Sequence, residues 1–140
     1  MRFLIMAHLI LIAMGTGMSF SNLVNVRLAM STQGEGFKAL ALQRRVIARI
    51  GDGIIALIWL SGIALLLMRP PSSLGSNGWF QAKLAFVVLL TINHFLARRT
   101  AGEMARSGNA TLLPRLQMFI GGVWLSAVVA ICLAELAFRG

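Results

Sequence analysis

Apolar residues fall in four blocks along the chain, each carrying few charges and each close to the length of a membrane-crossing helix. A hydrocarbon core of about 30 Å takes roughly 20 helical residues. The blocks lie at about 3–29, whose second half is more polar, at about 46–68 (VIARIGDGIIALIWLSGIALLLM), at about 79–97 (WFQAKLAFVVLLTINHFLA) and at about 113–137 (LPRLQMFIGGVWLSAVVAICLAELA). Between the middle pair, RPPSSLGSNG (69–78) cannot continue a helix, because two prolines remove donors and the glycine, serine and asparagine content favours turns. The pattern predicts an all-α fold, an integral membrane four-helix bundle forming one domain over residues 1–140. Arg2 followed by an apolar run has the outline of a signal peptide. No A-x-A-like cleavage site follows and three more apolar blocks do, so the run reads as a retained span.

The polar residues inside these blocks recur at helical spacing. His8, Gly15, Ser19 and Asn22 share one face of the first helix at about 100° per residue. Arg45, Asp52, Trp59 and Ile63 align on the second, Trp79, Lys83, Leu90 and His94 on the third, and Gln117, Gly121, Trp124, Val128 and Glu135 on the fourth. Polar groups in a membrane are costly and face the bundle interior or mark function. Four such stripes predict a bundle with a partly polar interior.

Depth divides these residues into two layers. His8, Trp79, Lys83 and Glu135 belong near the end that carries the chain termini. His94, Asp52, Arg49 and Arg98 belong near the opposite end. The two histidines differ in depth by roughly 15 Å at 1.5 Å per residue, so one haem iron is not held by both. A haem held by His8 alone, or by His8 with Lys83, remains open. Each residue also has a plain reading. His8 can sit at the interface, Lys83 can snorkel, Trp79 can anchor the helix start, His94 can pair with Asp52, and Glu135 can pair with Lys83. Met6, Met14 and Met18 with His8 offer soft donors for copper, but Met14 and Met18 lie off the His8 stripe. GDG at 51–53 lacks the third glycine and the preceding strand of a dinucleotide fingerprint.

Composition agrees with the membrane reading: 58% hydrophobic, 12% charged and a mean hydropathy of +0.82. The net charge of +9 does not point to nucleic acid, because the basic residues gather in two short connections between apolar blocks. There they set topology. Arg27, Lys38, Arg44, Arg45 and Arg49 flank the first connection, and Arg98, Arg99, Arg106 and Arg115 the third. Arg2, Arg69, Lys83 and Arg139 are left on the other side. Nine against four places the first and third connections in the cytoplasm and both termini outside, on the periplasmic face. The lone Cys132 excludes an intrachain disulfide.

With these residues placed, the chain resembles the small four-span membrane proteins grouped around HemJ-type protoporphyrinogen oxidases and CopD-type copper-resistance membrane domains. The matching stretches are AHLI around His8, RRVIARIGDGIIALIWLSGIALLL, and above all GWFQAKLAFVVLLTINHF. In the last, a Trp-x-x-x-Lys motif opens the third span and a histidine lies near its end, on Trp79, Lys83 and His94. The chain departs from the HemJ-type pattern after the first span, where SFSNLVNVRLAM has neither proline nor histidine. The resemblance implies a bacterial inner-membrane, multi-pass protein with haem b bound at His8. Trp79 and Lys83 contribute to cofactor binding and catalysis, and His94, Asp52 and Glu135 form a secondary polar set. It also implies porphyrin as substrate, with electrons passing to a quinone. Two other functions fit the sequence: a non-catalytic accessory subunit of a larger membrane complex, and a copper-handling or transport protein working as a homo-oligomer.

Overall fold

The computed structural model describes residues 2–68 and 78–139, with side chains up to 135. The turn expected at 69–78 therefore lies outside the described residues, except Gly78. Four long helices account for nearly everything described: α1 (Arg2–Ala29), α2 (Gly34–Leu67), α3 (Gly78–Ser107) and α4 (Leu113–Arg139), with one 3-10 turn at Ala110–Leu112. All four are long and apolar enough to cross a membrane. Large apolar side chains cover the outside of the bundle; Phe3, Leu60, Phe95 and Met118 are all well exposed. A water-soluble monomer does not carry so continuous an apolar surface. The lipid bilayer is the environment this chain is built for.

Two helices are longer than their apolar blocks. α2 starts at Gly34 rather than near 46, and α3 runs to Ser107 rather than stopping near 97. The added segments, GEGFKALALQRR and RRTAGEMARS, are too polar for lipid but contain no proline and are rich in good helix formers. Glycines at positive φ mark the outer limits, Gly34 at 63° and Gly108 at 66°, a conformation a side chain would strain. The basic residues read from sequence as loop residues are thus mostly helical: Arg44 and Arg45 belong to α2, and Arg98, Arg99 and Arg106 to α3. The end of the bundle where they collect is called the basic end below.

The helices alternate in direction. α1 packs on α2 and on α4, and α3 packs on α4. Gly122 of α4 lets Asn93 of α3 come close, since a Cβ there would stand 2.8 Å from the Asn93 Oδ1. The fully buried cluster lies toward the basic end, where Val26, Ala29, Ala97, Met104, Leu116 and Ile120 join α1, α3 and α4. The backbones of α2 and α3 hardly approach one another. α2 is therefore held along one side by α1 and stands off from α3.

Leu116 is 1% exposed at the centre of this cluster. Leu116→Ala is expected to cost about 2–5 kcal/mol through lost contacts and a residual cavity, read as a lower unfolding midpoint in detergent. An unchanged midpoint would show that the cluster is not what joins the three helices.

Candidate binding cavity and its two histidines

The separation of α2 from α3 leaves a cavity of about 1300 Å³ inside the bundle. Ligand sites are typically about 300–1,000 Å³, so this one has room for a large organic molecule. Its wall is mostly aliphatic, with Ile12, Ile54, Ile58, Val87, Leu90 and Ile120 among the lining residues. The His8 stripe is entirely in this wall: His8, Gly15, Ser19 and Asn22 all line it. So do Lys83, Leu90 and His94 of α3, and Arg45, Trp59 and Ile63 of α2.

The stripe expected on α4 points elsewhere. Gly121 faces Leu23 of α1, and Trp124 stacks at a tilt on Phe20 of α1 with ring centroids 6.0 Å apart. α4 instead turns the small and aliphatic Leu116, Ile120, Val123, Ala127 and Ala130 to the cavity. The spacing identified a helical face correctly, but that face is a packing seam against α1. Trp79, at the start of α3, is 53% exposed and does not line the cavity. Glu135 is also exposed, toward the end of α4.

Both histidines lean on α2, in closely similar ways. The His8 Nδ1 lies 2.7 Å from the Ser61 Oγ, and the neighbouring Gly62 leaves room for its ring, a Cβ there meeting the His8 Cε1 at 3.5 Å. His94 Nε2 lies 2.6 Å from the Asp52 Oδ1, and Gly51 would place a Cβ 3.4 Å from the His94 Cε1. Ser61 and Asp52 are nine residues apart on α2, about 13 Å along the axis at 1.5 Å per residue. The two histidines thus occupy separate layers of one cavity. At 100° per residue, nine residues also put Ser61 and Asp52 on nearly opposite faces, one toward α1 and the other toward α3.

The hydrogen bonds fix the proton on His8. The Ser61 hydroxyl has one proton, which it donates to the Leu57 carbonyl at 2.6 Å, sharing it with Ile58 at 3.2 Å. A carbonyl only accepts. Ser61 Oγ must then accept from His8 Nδ1–H, and His8 Nε2 carries the lone pair. A metal-binding histidine needs this arrangement: one nitrogen free to bind, the other held by a hydrogen bond that fixes the tautomer and ring orientation. Lys83 lines the same cavity and lies within electrostatic reach of His8. Among the described residues no cluster of three or more His, Cys, Asp or Glu side chains is placed to hold a metal ion. A metal here would have to be carried by a cofactor or by few protein ligands.

Sequence reasoning missed Ser61. It is a lone hydroxyl in the aliphatic run LIWLSGIALLL, and an isolated intramembrane polar residue is itself a signal. It also missed the two ties that close the wall between α2 and α3. Trp59 Nε1–H donates to Thr91 Oγ1 at 3.1 Å. Asp52 receives Arg98 at 3.0 Å together with His94, so the pairing of His94 with Asp52 considered from sequence is present, with Arg98 as a third member.

Comparison with known proteins gives a relative at this point. A protoporphyrinogen IX oxidase of Helicobacter pylori is 33% identical over 64 residues, which cover 46% of this chain and 43% of that protein. The match thus spans less than half the length of the relative. No family model matches the chain, and no solved structure matches it.

The Asp52–Arg98 pair spans the gap between α2 and α3 with both side chains partly exposed. A double-mutant cycle of Asp52→Asn and Arg98→Gln is expected to give a coupling of about 0.5–1 kcal/mol. The check is unfolding in detergent at low and high salt. Additive effects would mean the pair does not hold the two helices together.

Proposed function

We propose that the chain is a haem-b-binding redox protein of the bacterial inner membrane that acts like a protoporphyrinogen IX oxidase. The observation that carries this reading is the hydrogen-bonded His8, whose Nε2 lone pair belongs to a residue in the wall of a large apolar cavity. The partial likeness to a protoporphyrinogen IX oxidase supports it independently. The donor set fits a haem: one imidazole with a fixed tautomer, a cation in Lys83 for a carboxylate, and an aliphatic wall for the macrocycle.

His8 would hold the haem through Nε2, its ring oriented by Ser61 and by the space over Gly62. Lys83 would meet a carboxylate of the group by charge, and Trp79, one turn before it, would anchor the start of α3 at the interface and so set the depth of Lys83. The aliphatic wall excludes water. When bound, haem supplies electron transfer between a porphyrinogen and an acceptor such as a quinone. In this reading the 1–140 bundle is a single redox domain with both termini on the periplasmic face, a placement supported by the excess of basic residues at the other end.

The test is the visible spectrum of detergent-purified protein, oxidised and dithionite-reduced. A Soret band that shifts on reduction is expected, and His8→Ala is expected to lose it. Ser61→Ala keeps the ligand but loses its orientation, and should weaken haem retention about 10–100-fold. A featureless spectrum after haem-supplemented expression, or full pigment in His8→Ala, would overturn the assignment. Periplasmic labelling of a cysteine placed at residue 2, with none at Lys38→Cys, is the expected topology result.

A further inference from the structure

The cavity reaches well beyond the His8 layer toward the basic end, where its wall changes character. Arg44, Arg45, Arg98 and Asn22 line it there. Arg44 is only 6% exposed. Among the described residues its side-chain hydrogen bond runs from Nη1 to the Asn25 Oδ1 at 2.9 Å, and Asn25 in turn donates to the Gln43 Oε1 at 2.7 Å. Both partners are neutral amides. A buried guanidinium is costly without a counter-charge, and it has five N–H donors to satisfy.

The chain cannot supply that counter-charge locally. It has four acidic residues. Glu35 is held by Lys38, Glu103 by Arg99, and Asp52 by His94 and Arg98. Glu135 lies toward the other end of α4, away from the basic end. Arg45, next to Arg44, has no ion pair among the described residues. One turn before Asn25 on α1, the Asn22 Oδ1 is buried and has no hydrogen-bond partner among the described residues.

We propose that the basic end of the cavity is a second ligand compartment, distinct from the His8 layer, which takes the carboxylate end of an apolar-bodied anion. Arg44 and Arg45 supply the counter-charge, Arg44 through the planar fork that suits a carboxylate. The aliphatic wall above covers the body of the ligand. The compartment rests on the residues; the choice of a tetrapyrrole carboxylate as its probe rests on the redox reading.

The experiment uses the full chain in nanodiscs of zwitterionic lipid. It is titrated with a fluorescent dicarboxylic porphyrin and, separately, with the dimethyl ester of the same porphyrin, empty nanodiscs serving as blank. The diacid is expected to bind about tenfold tighter than the ester, a difference of one charge-assisted contact, in wild type and in His8→Ala alike. Arg45→Gln should weaken the diacid about fivefold and leave the ester unchanged. Arg44→Lys keeps the charge and loses the fork, and should also weaken the diacid while keeping the helical spectrum of wild type.

Equal binding of diacid and ester overturns the proposal. So does a diacid preference that survives both Arg45→Gln and Arg44→Lys. Loss of diacid binding when anionic phospholipid replaces part of the zwitterionic lipid, with that lipid retained on the protein, identifies a headgroup site and also overturns it. A wild type without haem that still prefers the diacid would sink the redox reading and leave this compartment standing.

Discussion

The polar seam between α1 and α2 sets the position of nearly everything else, because it fixes how the two helices are registered. It runs from the His8–Ser61 hydrogen bond at one end to the Arg44–Asn25 hydrogen bond at the other. The step from His8 to Asn25 is seventeen residues on α1, and the step from Ser61 back to Arg44 is seventeen on α2. The register is constant over that distance, as two straight antiparallel helices require. In lipid there is no hydrophobic gain from pressing apolar helices together, so close packing and interhelical hydrogen bonds decide association. α2 has both with α1. With α3 its side-chain ties include those of Trp59 and Asp52, while the two backbones hardly approach. The cavity is the direct result.

That arrangement explains what could and could not be read from the sequence. The four helices were legible, since apolar length and composition alone specify a spanning helix. The interior face of α1 was legible too, because His8, Gly15, Ser19 and Asn22 recur at helical spacing and all line the cavity. The separation of the histidines into two layers also held, since rise per residue does not depend on helix order. The facing of α4 did not follow from its spacing. Its polar stripe carries Gly121 and Trp124, which suit a seam against α1 as well as they suit an interior wall. Only the order of helices around the bundle distinguishes these, and order is set by contacts distant in sequence. The helical extensions at 34–45 and 98–107 were missed because a hydropathy window reports where lipid ends, not where the helix ends.

Function is carried here by a few polar groups in an apolar setting. A histidine whose proton is fixed by a serine already committed to a backbone carbonyl is prepared to bind through its other nitrogen. Arg44 is buried with neutral amides as its hydrogen-bond neighbours among the described residues. The histidine and the arginine stand at different heights in one cavity.

The pairing of each histidine with α2 has a consequence for how this chain can change. Asp52 and Ser61 must face opposite neighbours at once, and the residues between them are what hold that phase. Substitutions at exposed positions between them, such as Leu57 and Leu60, alter how aliphatic surface meets lipid and leave the phase intact. A change of length does not: one inserted or deleted residue turns the helix beyond it by about 100° and shifts it by about 1.5 Å. α2 could then keep a partner for one histidine but not for both. Across related chains, this segment should stay constant in length, with sequence change falling on its exposed positions rather than on the buried Ile54 or on Trp59, which is tied to Thr91.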